Sequence, residues 1–445
     1  AAQIEALAGR LGLDYYPVDF ELAPASLMTE IAVYGLPIRM PHWSFGVRYI
    51  HQLVRQSMGN SKIFEVMFPG DPCRAFLMSS NSLAENTLVT AHVLGHADFA
   101  KHNQLFARFH EMAGGNIVEH AAAHAQRIQQ AIDAVGLERV EPVLDAALAL
   151  ESHVDVDGEL HRARYAELLP EKEKIRESGF QKRFGQLPGS VGKADLPPGP
   201  QRARVPPHPE YDLLWFIAQY APELEQWERD IFLMVRAESL YFYPVFACQI
   251  MNEGWASYWH ARLLREAEFL PQPLYLSAIK AHSDVVRPYA GEREAALAIN
   301  PYHLGFAMWE HIVQKHGAER AAAVRRDEDD FGFVRNFLDA ELAEKAGLFV
   351  YLEKADREIR VASRDLDAVR EAILAPKFNY GAPRVAAVEL GHDGRLTLEH
   401  DHASDGRGLD AARARKVLEY TRRIWRRPVR LHTVNERGEP VELAA

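Results

Sequence analysis

Two histidines four residues apart raise the first chemical question. The string Ala91-His-Val-Leu-Gly-His-Ala-Asp-Phe99 lies in a stretch of helical periodicity. His92 and His96 therefore leave one helix face a turn apart. A zinc helix presents two imidazole nitrogens in this way, and Asp98 is placed to orient one ring from behind. The pattern is HxxxH and not HExxH: Val93 stands where a metalloprotease helix carries its general base. A second string, Asn252-Glu-Gly-Trp-Ala-Ser-Tyr-Trp-His260, sets Glu253 and His260 seven residues apart, nearly two turns, on a shared face. Glu85 and His92 repeat that Glu-x6-His spacing. Two facing helices with Glu85, His92, His96, Glu253 and His260 turned inward would build a metal cage, as bundle interiors do. The bland alternative is a pair of satisfied packing histidines, with Glu253 in a salt bridge.

Other polar residues sit among aromatics. His42-Trp-Ser-Phe-Gly46 is an odd string for a plain surface loop, and Glu65 interrupts an apolar run, Ile63-Phe-Glu-Val-Met67. Asn300-Pro-Tyr-His-Leu-Gly305 and His282 follow the second helix. Each of these alone reads as structural. His120 and His124 form another i, i+4 pair, but Ala121 to Ala123 between them suggest helix packing. The chain has 20 histidines, and six of them, from His92 to His124, fall within 33 residues.

The elements that must position these groups follow from periodicity and turn signals. Residues 1 to about 80 read as mixed structure. A helix runs from Ser82 to about 113, capped by Asn81-Ser82 and stopped by Gly114-Gly115. Two more are expected at about 117–135 and 139–152. Prolines and glycines make 185–209 an exposed loop. Helices dominate from Tyr211 to about 346. Beyond 349 the order reads ββαββαβ, with a hairpin at 384–390 and 395–400. The expected fold is mostly α: a large helical domain with a mixed N-terminal segment over 1–346, then a small α+β domain over 347–445.

Composition narrows the classes. Of 445 residues, 48% are apolar and 25% charged, as in a folded globular protein. With 51 basic and 62 acidic residues the formal charge is -11, which argues against a nucleic-acid partner. The basic C-terminal cluster from Arg413 to Arg430 reads as a solvated helix face. Two cysteines exclude a disulfide framework and a four-cysteine zinc ribbon, and Cys248 reads as a buried, inert thiol. The longest apolar stretch, about 240–251, is too short to span a bilayer. No signal-like segment opens the chain, so a cytoplasmic location is expected. Neither a phosphate-binding glycine loop nor a GxSxG elbow occurs.

Taken together, the separated motifs resemble the stage V sporulation protein R (SpoVR) family. The resemblance rests on His42-Trp-Ser-Phe-Gly46, Asn81-Ser-Leu83, Ala91-His-Val-x-Gly-His-x-Asp-Phe99, Met251-Asn-Glu-Gly-Trp-Ala256, Asn300-Pro-Tyr-x-Leu-Gly305 and Trp425-x-x-Pro-Val429, spread over nearly the whole chain. The sequence departs from the family pattern at Val47, where a lysine is usual, at Ala100 and His102, and at Cys248-Gln249. The resemblance implies a link to spore cortex formation, and genomic company with a serine protein kinase and a von Willebrand-type protein. His92, His96, Glu253 and Asn252 match its motifs directly. His42, Asp98, His260, His282 and Asn300 match it less directly; of the residues matched, His42, Asp98, Asn252, His282 and Asn300 would lie behind the site or on the substrate.

The resulting expectation is a zinc-dependent hydrolase acting on an amide bond of a peptide or peptidoglycan fragment. His92, His96 and Glu253 would be ligands, with His260 as a further candidate, and the base is open between Glu65 and Glu85. One alternative is a dinuclear iron or manganese site, motivated by the paired Glu-x6-His spacing. Another is a scaffold without catalysis that docks a kinase or another partner.

Overall fold

The computed structural model describes residues 1–36, 38–57, 64–112, 117–162, 205–287, 300–353, 359–435 and 437–445. Most of the expected proline-rich loop lies outside these. By internal contacts the chain divides into two units, Ala1–Leu144 with Met234–Ala382, and Asp145–Leu233 with Pro383–Ala445. As the periodicity implied, it is mostly helical.

The first unit opens with the expected mixed segment. Strand β1 (Val18–Ala23) runs parallel to β3 (Cys73–Met78), and β2 (Glu65–Phe68) pairs antiparallel on the other side of β3. The histidine helix, Leu83–His102, follows. Ser82 caps it, its hydroxyl accepting from Glu85 N while the Glu85 carboxylate accepts from Ser82 N. From Leu88 to Ala100 this helix is buried on every side. That makes it the central rod of the unit rather than a surface helix with one apolar stripe.

Two further helices pack on it: the glutamate helix, Gln249–Glu266, and a long helix, Pro301–Asp327, which is kinked at Gly317. Both are held at their starts. Asn300 accepts from Tyr302 N and donates to the Val285 and Arg287 carbonyls. The glutamate helix has no cap from its own chain neighbour. The fully buried Asp330 serves instead, accepting from Ile250 N and Met251 N at 2.9 Å each, with Lys377 Nζ at 3.1 Å.

Glycines set how close these three helices come. A Cβ on Gly95 would lie 2.7 Å from Ala256 Cα. One on Gly254 would lie 2.3 Å from the Gly305 carbonyl carbon, and one on Gly305 would lie 2.1 Å from Ile250 O. Backbone meets backbone at these crossings, so no larger residue fits without parting the helices. Around them lies an aromatic core, with Trp309 between Trp255 and Phe333 and Phe99 against Phe106. Cys248 is buried there, and burial pushes its thiol up, which accords with an inert group.

The first unit also contains β4 (Val350–Glu353) and β5 (Ile359–Ser363), which among the described residues pair only with each other. The expected ββαββαβ order is present from Val350 to Val434, with one further strand after it. The second unit has a four-stranded sheet, β6 (Val385–Leu390), β7 (Leu396–His400), β8 (Val429–Val434) and β9 (Pro440–Ala444). Its middle pair is parallel and its outer pairs antiparallel. The last strand was missed because charged residues and glycine precede it. In this unit the helix Ala411–Trp425 places Trp425 in a stack on Phe216, centroids 6.0 Å apart. The basic cluster is partly neutralised: Arg426 reaches Glu228 at 2.6 Å, Arg427 pairs with Glu223, and Arg430 reaches Glu442 at 3.4 Å. Among the described residues no single helix is long and apolar enough to cross a membrane.

Candidate metal centre

The close crossings bring three of the expected ligands together. His92 Nε2 and His96 Nε2 each lie 3.5 Å from Glu253 Oε2, and the three donor atoms fall within 4.8 Å of one another. Two ligands held about 2.0–2.1 Å from one tetrahedral ion sit roughly 3.3 Å apart, so the spacing suits a small divalent cation. Glu253 Oε2 is buried and has no hydrogen-bond partner. A buried carboxylate oxygen between two imidazoles needs either a proton on one ring or a cation to balance it, so the residues present fit a metal.

What lies behind the rings decides which nitrogen faces the centre. His96 Nδ1 donates to Asn252 Oδ1 at 2.9 Å, leaving the Nε2 lone pair toward Glu253. His92 Nδ1 lies 3.0 Å from His260 Nδ1, and His260 Nε2 lies 2.6 Å from His282 Nδ1. One proton order satisfies the whole chain: His92 donates to His260, which donates to His282, and His92 Nε2 keeps its lone pair for the centre. Both nitrogens of His260 are thereby used. His260 thus stands outside the group of three donor atoms and supports His92 from behind, and His282 supports His260 in turn.

Charge agrees with this arrangement. Burial and the neighbouring His92 push His96 down to about 4, and burial with the nearby Arg265 brings His282 to about 4. Burial also holds His260 well below its ordinary value. His92 is the exception: burial lowers it, but Glu253 and Glu65 outweigh that and raise it. Burial likewise pushes Glu253 up, but His96 and His92 beside it win and hold it low. Without an ion, a proton shared toward His92 balances Glu253, and a divalent cation would take over that role.

Glu65 is the carboxylate the sequence left undecided. It starts β2, with Oε1 3.9 Å from His92 Nε2, and burial raises it to about 6. Its side chain and that of Glu253 are 18% and 22% exposed, so each keeps some contact with solvent although Glu253 Oε2 is buried. Glu85, the other candidate base, is spent in the capping box, about 10 Å along the helix from His92. Asp98 is also elsewhere. Two residues past His96 it points to another side of the helix, where it accepts from Trp255 Nε1 at 2.7 Å, from Asp14 N at 3.2 Å and from Arg325. It ties helices together and orients no ligand imidazole. His42 turns to Ser44 Oγ at 2.7 Å at the start of the helix Trp43–Ser57. His124 bonds the buried Glu238 at 3.1 Å, while His120 is exposed.

One residue of the centre escaped sequence reasoning. Tyr302 stacks on His92, centroids 6.0 Å apart, and its phenol lies beside Glu253. That carboxylate, together with burial, pushes the phenol well above its ordinary value and keeps it a donor. The signal was present in Asn300-Pro-Tyr-His, where a helix start aims its second residue. Asn300, expected at the substrate, is the cap that sets Tyr302.

The fold and these motifs define a SpoVR-like protein, and the chain belongs to that family. The family described as "SpoVR like protein" matches residues 1–381, and the "SpoVR-like C-terminal domain" matches residues 384–436. Among individual proteins the chain is similar to "Uncharacterized protein YcgB" of Escherichia coli (strain K12). The two are 30% identical over 476 residues, covering 98% of this chain and 91% of that one. No solved structure matches.

Proposed function

We propose that this protein is a metal-dependent hydrolase, zinc by preference, that cleaves an amide bond of a peptide or peptidoglycan fragment. The observation that carries the reading is the convergence of His92 Nε2 and His96 Nε2 on the orphaned Glu253 Oε2, 3.5 Å from each. Two imidazoles and a carboxylate form a donor set of catalytic zinc sites with a fourth position open. A bound divalent ion would polarise the scissile carbonyl and acidify water. Glu65 supplies the base that the HxxxH helix lacks, since a carboxyl near 6 takes a proton from water and returns it to the leaving amine. Tyr302, held protonated, is the donor for the oxyanion. The family link to spore cortex directs the substrate search to peptidoglycan stem peptides. Among the described residues the donor atoms gather into a single three-residue group, which favours one ion over the dinuclear alternative.

The test is metal content by mass spectrometry on the parent, His92→Ala and Glu253→Ala, followed by amine release from stem peptides. Near-stoichiometric zinc that disappears in both folded variants, with release by the parent alone, is the expected result. Metal-free parent after reconstitution would overturn it and leave the scaffold reading, in which these motifs lock a bundle that docks a serine protein kinase.

A further inference from the structure

The outer edge of β2 is open. In the antiparallel pair with β3, Met78 N donates to Phe64 O at 3.0 Å. Phe64 and Met78 are thus a hydrogen-bonded pair, and so are Val66 with Phe76 and Phe68 with Arg74, two residues further along each time. Glu65 and Met67 alternate with these, so their N–H and C=O groups point the other way, off the sheet. Among the described residues no strand lies on that side, since the sheet order is β1-β3-β2, and no described residue bonds to these backbone groups. They are left for water or for a second chain.

The position of this edge says which chain. It begins at Glu65, whose Oε1 lies 3.9 Å from His92 Nε2. The side chains of Glu65 and Met67, two apart in the strand, share the face toward the histidine helix, where Met67 packs on the cluster of Leu88, Val89 and Val93. The opposite edge of the sheet, on β1, carries none of the residues of the centre. We propose that the substrate docks on β2 as an added strand, an extended peptide whose backbone pairs with Glu65 and Met67 and so passes beside the donor atoms. Resting on the hydrolase reading, this docking narrows the substrate. Main-chain pairing binds an extended peptide with little regard to its side chains, but it does read chirality and linkage. Side chains of α-linked L-residues alternate across a strand, whereas the D-residues and γ-linked amide of a stem peptide break that alternation or shift the register. Chains of α-linked L-residues are therefore the better substrates. A second copy of the same edge is the weaker occupant, because β2 has four residues and Pro69 follows it.

The test gives the zinc-loaded full chain a tryptic digest of casein and, separately, a stem tetrapeptide, with products read by mass spectrometry. The L-peptides should be cut at least about tenfold faster than the stem tetrapeptide. Met67→Pro removes an outward N–H and no bond to β3, a place where a strand tolerates proline. It should cut about tenfold more slowly than Met67→Ala, which loses the same side chain and keeps the N–H, with equal zinc content in both. The peptide cut fastest, labelled with fluorescein, should also bind zinc-free protein in an anisotropy titration. Methylating its backbone nitrogens one at a time should weaken that binding at every second position of the paired stretch. Should Met67→Pro not fold, the methylation scan decides alone. Equal rates in the two variants, a stem tetrapeptide cut as fast, or methylation losses without alternation overturn the proposal and leave the hydrolase standing. A zinc-loaded parent that cuts neither substrate overturns the hydrolase reading and this docking with it.

Discussion

Gly254→Ala should loosen the centre without touching a ligand. A methyl there would lie 2.3 Å from the Gly305 carbonyl carbon and 2.4 Å from its Cα, where ordinary contact begins at 3.4 Å. Both obstacles are backbone, so the glutamate helix and the helix Pro301–Asp327 must part by about 1 Å. Two effects oppose each other. Alanine is the better helix former by about 1 kcal/mol, while overpacking costs up to about 3 kcal/mol when the neighbour cannot move aside. Sterics win, and the net loss is about 2 kcal/mol. The displacement also moves Glu253, the adjacent residue, against ligand spacings of 3.5 Å, so zinc should bind at least about tenfold more weakly. Urea unfolding of metal-free protein measures the first effect, and competition with a chromophoric chelator measures the second. Should the alanine variant prove as stable as the parent with unchanged zinc affinity, the close crossing does not assemble the site and the argument from the three glycines fails.

Other expectations concern single side chains. Asn252→Leu removes the acceptor of His96 Nδ1 and should weaken zinc binding roughly 10–100-fold. Asn252→Asp keeps an acceptor and should bind at least as well as the parent, so equal losses in both variants, read by the same chelator competition, would count against an orienting role. Glu65→Gln should keep the metal and lower stem-peptide hydrolysis by about 10²–10⁴-fold; an unchanged rate would remove Glu65 as base. Asp330→Ala strands Lys377 and two helix N–H groups, and should cost about 3–5 kcal/mol in urea unfolding; a loss below about 1 kcal/mol would refute the capping role. Burial lifts the Asp330 carboxyl from 3.8 to about 6, so the folded state holds its proton more tightly than the unfolded chain does. The proton-linked part of its contribution is full below pH 3.8 and is lost as pH rises through about 6, by up to about 3 kcal/mol, while the cap and the pair with Lys377 remain. The advantage of the parent over Asp330→Asn should shrink across that window, and a flat difference would show that Lys377 and the helix start offset burial.

Local pattern carried far in this protein because its chemistry lies on regular helices. The i, i+4 rule alone placed His92 and His96 on one face, and the Glu-x6-His spacing singled out Glu253 before any contact was known. The same periodicities showed a mostly helical chain and the hairpin of β6 and β7, since each is a repeat within a few residues. They also misplaced Glu85: matching spacing puts two residues on one face but says nothing of how far along the axis the partner helix reaches. Glu65 is separated from Glu253 by 188 positions in sequence and meets His92 only because β2 packs beside the histidine helix. His260 shared a face with Glu253, yet both of its nitrogens are engaged, one by His92 and the other by His282, twenty-two residues on. Composition and spacing by themselves thus determined the helices, the histidine pair and the carboxylate that answers it. The place of Glu65 beside His92, the phenol of Tyr302 and the imidazole chain behind His92 were decided by tertiary structure alone. A site between helices depends on crossing distance and register, which Gly95, Gly254 and Gly305 set through backbone contacts that no single segment contains.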